Sequence, residues 1–241
     1  MQRADRAIAT TQGEVLTYEG ELIDALYSST TGGITARFSD VWNGFDRPYL
    51  QPVVDSLAVT WDLAARPLSD EANFRSFINL QNRFNEDDWP TFRWKRSGTL
   101  EEITTGVKEY LTNRQNPLAN LKAVTGLTVT ERSDAGRVQT LLVNTDVGDF
   151  ELHKNEVVSA LIPPRSQLFY LEPMYQTKEN EKADAPAADN AAAKQIPPVL
   201  KGYTFVGGGF GHGVGMSQTG SYRLGEDRKS TRLNSSHVRT S

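Results

Sequence analysis

"LTVTERSDAGRVQTLLVN", Leu127 to Asn144, sets the fold class. Two β-prone runs flank Ser133-Asp134-Ala135-Gly136, a turn cluster, so the stretch reads as a hairpin. Downstream, Phe150 to His153, "SQLFYLEPMY" (166–175) and "LKGYTFVGGG" (200–209) continue the β pattern. Upstream, "GEVLTYEGELIDALYSS" (13–29) reads as a strand, a turn at Glu19-Gly20 and a second strand. "FSDVWNGFDRPYLQPVVDS" (38–56) has no clean period and is expected as an ordered loop packed by Trp42, Phe45 and Tyr49. Helical spacing occurs twice. In "LSDEANFRSFINL" (68–80) Ser69 is the expected cap, and Phe74, Phe77 and Ile78 share a face. In "SGTLEEITTGVKEYLTNRQNP" (97–117) Leu100, Ile103, Val107, Tyr110 and Leu111 recur at helical intervals, and Pro117 limits the end. The sum is an α+β fold, a mostly antiparallel sheet core with a small helical insertion. The expected core is 1–65 with 118–226, the insertion 66–117, and a low-complexity surface loop 178–198.

The last fifteen residues break from this pattern. "DRKSTRLNSSHVRTS" (227–241) carries four Lys/Arg with no apolar period, and it looks like a sequencing-library adapter read through in frame. It is expected to be disordered. Without it the chain has 22 basic against 29 acidic residues, and its net charge moves from −4 to −7. An acidic chain with no basic cluster is a poor nucleic-acid binder. Cysteine is absent, which removes disulfides and thiolate chemistry. No run of about 18 apolar residues and no signal-peptide pattern is visible.

"VGGGFGHGVGMSQTG" (206–220) places glycine at every second position from Gly207 to Gly215. A dinucleotide fingerprint needs glycines at n, n+2 and n+5, and no register supplies them; there is no GxxxxGK either. A zinc site needs three or four ligands, and beside His212 there is only His153, best read as a structural residue on an exposed strand. No metal and no cofactor are expected. A serine hydrolase could draw on Ser28 or Ser29, but no GxSxG elbow and no acid partner accompany them. Two readings of the glycine loop stay open. Its backbone could approach a glycan or peptide, with His212, Ser217 and Gln218 as polar contacts, or the glycines could serve a tight corner around a buried His212.

"ALYSSTTGGITA" (25–36) and "GGGFGHGVGMSQTGSY" (207–222), linked by the 41–56 stretch, resemble the SpoIID/LytB family of the bacterial cell envelope. That resemblance implies an envelope location and peptidoglycan glycan strands as the substrate. Sporulation members are lytic transglycosylases, whereas enhancer members stimulate a cell-wall amidase, an implied partner. It also implies a cleft with His212 in a supporting catalytic role and Gly211, Gly213, Ser217 and Gln218 on one wall. The other wall would be Ser28, Ser29, Thr30, Thr31, Gly32 and Gly33. The family's catalytic glutamate lies in a helical segment for which this chain shows no counterpart, so the chain is expected to be a fragment lacking its signal segment and that acid. Ser28 stands where sporulation members have a histidine or cysteine, and a hydroxyl is a poor zinc ligand. Transglycosylase action in the full-length protein is therefore one expectation, and a non-catalytic peptidoglycan-binding module that regulates an amidase is the other.

Overall fold

Residues 2–176, 198–226 and 239–240 are described in the computed structural model. Helix α1 (Gln2–Thr10) leads into the short strands β1 (Leu16–Tyr18) and β2 (Glu21–Leu22). Between them Glu19 and Gly20 both have positive φ, 52° and 89°, which is the two-residue turn whose twist suits a hairpin. After β3 (Tyr27–Ser28) the chain runs without long elements to α2 (Glu71–Ile78). In the 38–56 loop, Trp42 and Tyr49 pack against Ala36, Val41, Leu50 and Val214. Phe45 does not join them: it is 90% exposed. The cap of α2 is Asp70, not Ser69, because the Asp70 carboxylate accepts the Asn73 N–H at 2.8 Å. The Ser69 hydroxyl instead donates to Asp134.

Strand β4 (Arg93–Thr99) passes directly into α3 (Leu100–Asn113). Thr99 and Glu102 form a reciprocal capping box there, so two orphan N–H groups are satisfied at once. The hairpin follows as β5 (Val124–Arg132) and β6 (Val138–Thr145), and β7 (Phe150–His153) adds to β6. A short α4 (Glu156–Ala160) precedes β8 (Phe169–Gln176), and β9 (Val199–Gly208) pairs antiparallel with both β8 and β4. Then come β10 (Met216–Ser217), α5 (Gln218–Glu226) and β11 (Arg239–Thr240), the last lying against β1. The expected surface loop 178–198 falls almost wholly outside the described residues, as does the 227–241 tail apart from β11.

The fold is α+β with mainly antiparallel sheets. The β4–β9–β8 sheet is its middle layer, since alternate residues face opposite ways along each strand. Trp94, Phe169, Tyr203 and Phe205 pack with α3 and the β5–β6–β7 sheet. Leu168, Tyr170 and Val206 pack with α2 and the aromatic pair Phe84 and Phe92. The 66–117 stretch thus supplies side chains to both apolar layers. No helix among the described residues is long and apolar enough to cross a membrane.

Candidate functional site

Strand β9 runs straight into the glycine loop, where Gly209, Gly211, Gly213 and Gly215 all have positive φ. The reason is close approach. A Cβ on Gly213 would collide with the Arg137 guanidinium, and one on Gly32 would sit 2.7 Å from the Gly208 carbonyl carbon. The two expected walls are neighbours despite some 180 intervening residues. Thr30 and Phe210 exchange backbone hydrogen bonds, Thr30 N–H donating at 3.2 Å and Phe210 N–H at 2.8 Å. Ser28 Oγ accepts the Gly213 N–H at 2.9 Å. β3 runs parallel to β10, pairing Tyr27 with Met216 and Ser28 with Ser217. The Thr219 N–H closes the contact on the Ser29 carbonyl at 3.2 Å.

Most of these residues face inward. Ser28, Thr30, Thr31, Gly32, Gly33, Gly213 and Ser217 are buried; Gly211 and Gln218 are exposed, and Ser29 and His212 are half-buried. The inward groups converge on Glu86, a fully buried carboxylate absent from the sequence reading. One oxygen accepts the Thr31 N–H at 2.6 Å, the Thr31 hydroxyl at 3.0 Å and the Ser217 hydroxyl. The other accepts the Gly32 and Gly33 N–H groups at 2.8 and 3.0 Å. Five donors thus close both oxygens. The carbonyls of the same loop go to arginines: Arg137 Nη2 donates to Thr31 and Ile34, each at 2.9 Å, and Arg93 Nη1 donates to Gly32 at 2.8 Å. Burial pushes Arg137 down to about 10, against the pull of Asp40 and then Glu86, and Arg93 to about 9, against the pull of Glu86. Nothing local in "NEDDW" (85–89) separates Glu86 from a solvated acidic run; its partners lie 53–55 residues upstream and 131 downstream.

His212 rests 4.9 Å from the Trp42 ring, centroid to centroid. Its Nδ1 accepts the Val214 N–H at 3.0 Å, and the ring also hydrogen-bonds the Tyr27 backbone. Burial, and then the Arg137 charge, lower its pKa, so the neutral imidazole is favoured. Asp55 sits behind Glu86, its Oδ1 accepting from Asn85 Nδ2 at 2.6 Å. Burial and the Glu86 charge push it up to about 6. No group of three or more His, Asp or Glu among the described residues could hold a metal ion.

The outer surface has a different character. Three segments meet at Ser29-Thr30. Phe210 pairs with Thr30 through the backbone. The loop before β4 is tied in by Thr30 and Thr91, whose hydroxyls are 2.7 Å apart, and α5 by its Thr219 bond. Each carries an exposed aromatic side chain: Phe210 (48%), Trp89 (41%) and Tyr222 (66%). The Trp89 and Tyr222 rings lie 6.1 Å apart, and Arg165 is 5.9 Å from the Phe210 ring.

A family model described as "Domain of unknown function (DUF8618)" matches residues 36–215, ending short of both Ser28–Gly33 and Ser217. The chain is also 25% identical over 229 residues to the amidase enhancer of Bacillus subtilis (strain 168). That alignment covers 90% of this chain, which spans 29% of the enhancer's length.

Proposed function

The chain belongs to the family described as a domain of unknown function, DUF8618, and we propose that it is a peptidoglycan-binding module of the cell envelope that acts alongside a cell-wall amidase. The exposed aromatic rim around Ser29-Thr30 carries this reading. Sugar rings offer apolar faces that lie on aromatic side chains and hydroxyls that bond to amides, and Gln218, next to the Thr219 that bonds Ser29, supplies an exposed amide. The similarity to a protein named amidase enhancer supports the partner. Ser29, Gly211, His212 and Gln218 are the accessible part of the expected site, while Ser28, Thr30 to Gly33, Gly213 and Ser217 hold its shape.

Lytic transglycosylase action is the finer reading, and it needs a carboxylic acid that reaches the glycosidic oxygen. Glu86, the carboxylate at the centre of the loops, is fully buried with both oxygens engaged, so binding ranks first. The test is sedimentation of the protein with purified, peptide-free glycan strands, followed by analysis of the strand ends. Co-sedimentation without new 1,6-anhydromuramyl ends is expected, and a Trp89→Ala, Tyr222→Ala double variant should lose most of the retained protein. New anhydro ends would put cleavage first, and failure to co-sediment would remove the glycan reading.

A further inference from the structure

Against the β3–β10 pair lies a cavity of about 180 Å³. Leu16, Ile23, Leu26, Leu50 and Leu224 make its walls, and Asp55, Ser217 and Gly220 are at its floor. A cavity of about 150 Å³ already admits a six-carbon ring, so the slot has room for a short alkyl group. Its floor is unusual. Asp55 is only 4% exposed, and its Oδ2 has no hydrogen-bond partner. That oxygen faces the floor glycine, since a Cβ on Gly220 would lie 2.5 Å from it. A buried polar atom left unpaired is costly and calls for a partner.

Charge narrows the choice of partner. Glu86 is met by five donors and, at longer range, by Arg93 and Arg137. Among the described residues Asp55 has no such cation: the charged group acting on it is Glu86, of its own sign. At the rim, Asp24 is paired with Arg47 at 2.8 Å, which leaves that arginine engaged. An apolar shaft ending in an uncompensated carboxyl suits a ligand with an apolar stem and a cationic head.

We propose that this slot binds a primary alkylammonium group, the chemistry shared by a lysine side chain and a free alkylamine, with the stem along the leucines and the nitrogen at Asp55. The site is independent of the glycan reading, and glycan is not its probe. Glu86 and Asn85 from the loop before β4 act on Asp55, Gly220 of α5 approaches its Oδ2, and Asp24, Tyr27, Tyr49 and Ser217 line the same slot. Burial and Glu86 hold Asp55 up near 6, whereas a bound ammonium favours the ionised carboxylate, so amine affinity should rise as pH climbs through that value.

The test titrates the 241-residue chain with n-pentylamine and Nα-acetyl-lysine N-methylamide, following the backbone amides of Leu26, Gly215 and Gly220 by NMR. 1-Pentanol and the Nε-acetylated lysine derivative are the controls. Both amines should shift these signals, more tightly at pH 7.5 than at pH 5, with the controls at least about tenfold weaker. Binding of the lysine derivative assigns the source to a peptide side chain, and binding of pentylamine alone assigns it to a free amine. Asp55→Asn should erase the preference for amine over alcohol. Leu224→Trp, which fills the slot from α5, should abolish binding of both even if the Asp55 variant does not fold. Equal binding of amine and alcohol, or no shift at these amides with either amine, overturns the proposal.

Discussion

Behind the middle sheet, Ile103, Val107, Leu141 and Phe205 are fully buried side chains without a polar atom. At the sheet's open end Thr31, Gly32 and Gly33 are equally inaccessible, yet what holds them is one carboxylate and two arginines. The two regions respond differently to loss. An apolar layer loses contact area in proportion to the atoms removed and relaxes in part. The loop pair has its donors pooled on a single acceptor, so one deletion orphans several buried groups together.

The largest effect should therefore follow Glu86→Ala. It leaves three N–H groups and two hydroxyls without their acceptor and Arg93 without its countercharge, while Arg137 keeps only Asp40. A loss of about 5 kcal/mol is expected, with glycan retention gone. Phe205→Ala should cost about 4 kcal/mol in the apolar layer. Its folded fraction should still retain glycan, because no loop group loses a partner. Urea unfolding together with strand sedimentation separates the two, and a Glu86→Ala protein that still sediments with glycan would break the contrast.

A smaller effect, about 3 kcal/mol at most, distinguishes the regions by pH. Asp55 has its pKa raised from 3.8 to about 6 in the folded protein. Between those values the folded state keeps a proton that the unfolded chain releases, so the Asp55 contribution is greatest below about 4 and is lost as pH rises through about 6. His212 acts in the opposite direction. Its folded pKa lies below 6.5, so its contribution is complete above that pH and declines as pH falls below it. Among the described residues of the apolar layer the one with a shifted pKa is Tyr110, pushed up to about 12 and so silent from pH 4 to 8. Urea midpoints measured from pH 4 to 8 should show a decline in the wild type that is shallower in Asp55→Asn, where the raised Asp40 carboxyl leaves a remainder of the same sign; a variant that keeps the same slope sinks the assignment.

The same contrast decides what could be read in advance. The Glu19-Gly20 turn, the β5–β6 hairpin and the α3 face are local: each is written within a few residues as a turn dipeptide or a period. The cap of α2 was misplaced by one residue because Ser69 and Asp70 are both good caps, and the choice was made by Asp134, 65 residues away. Phe45 shows the same limit: an aromatic residue among aromatic neighbours reads as packed, yet the turn carries it outward. The loop pair was legible only through resemblance, since no period links Ser28 to Gly213. Glu86 was illegible by either route. Its neighbours Asp87 and Asp88 are acidic too, and Asp88 is exposed, so the run looks solvated until the loops close over its first member.

The smallest effect belongs to the local kind of information. Thr99→Ala removes the acceptor for the Glu102 N–H, 3.1 Å away, and half of the capping box that starts α3. That helix carries Ile103, Val107, Tyr110 and Leu111 into the apolar layer, so its start sets how they are presented. The cost should still be only about 1 kcal/mol, since the Thr99 N–H keeps Glu102 as its acceptor and the ladder to Gly202 is a backbone matter. Thr99→Ser should recover most of it. In urea the midpoint should fall with an unchanged slope, as expected when stability changes but the surface exposed on unfolding does not. Glycan retention should stay at the wild-type level, because the cap shares no partner with the loop pair. A drop in retention with Thr99→Ala would mean that the apolar layer and the loop pair are one cooperative unit at this site.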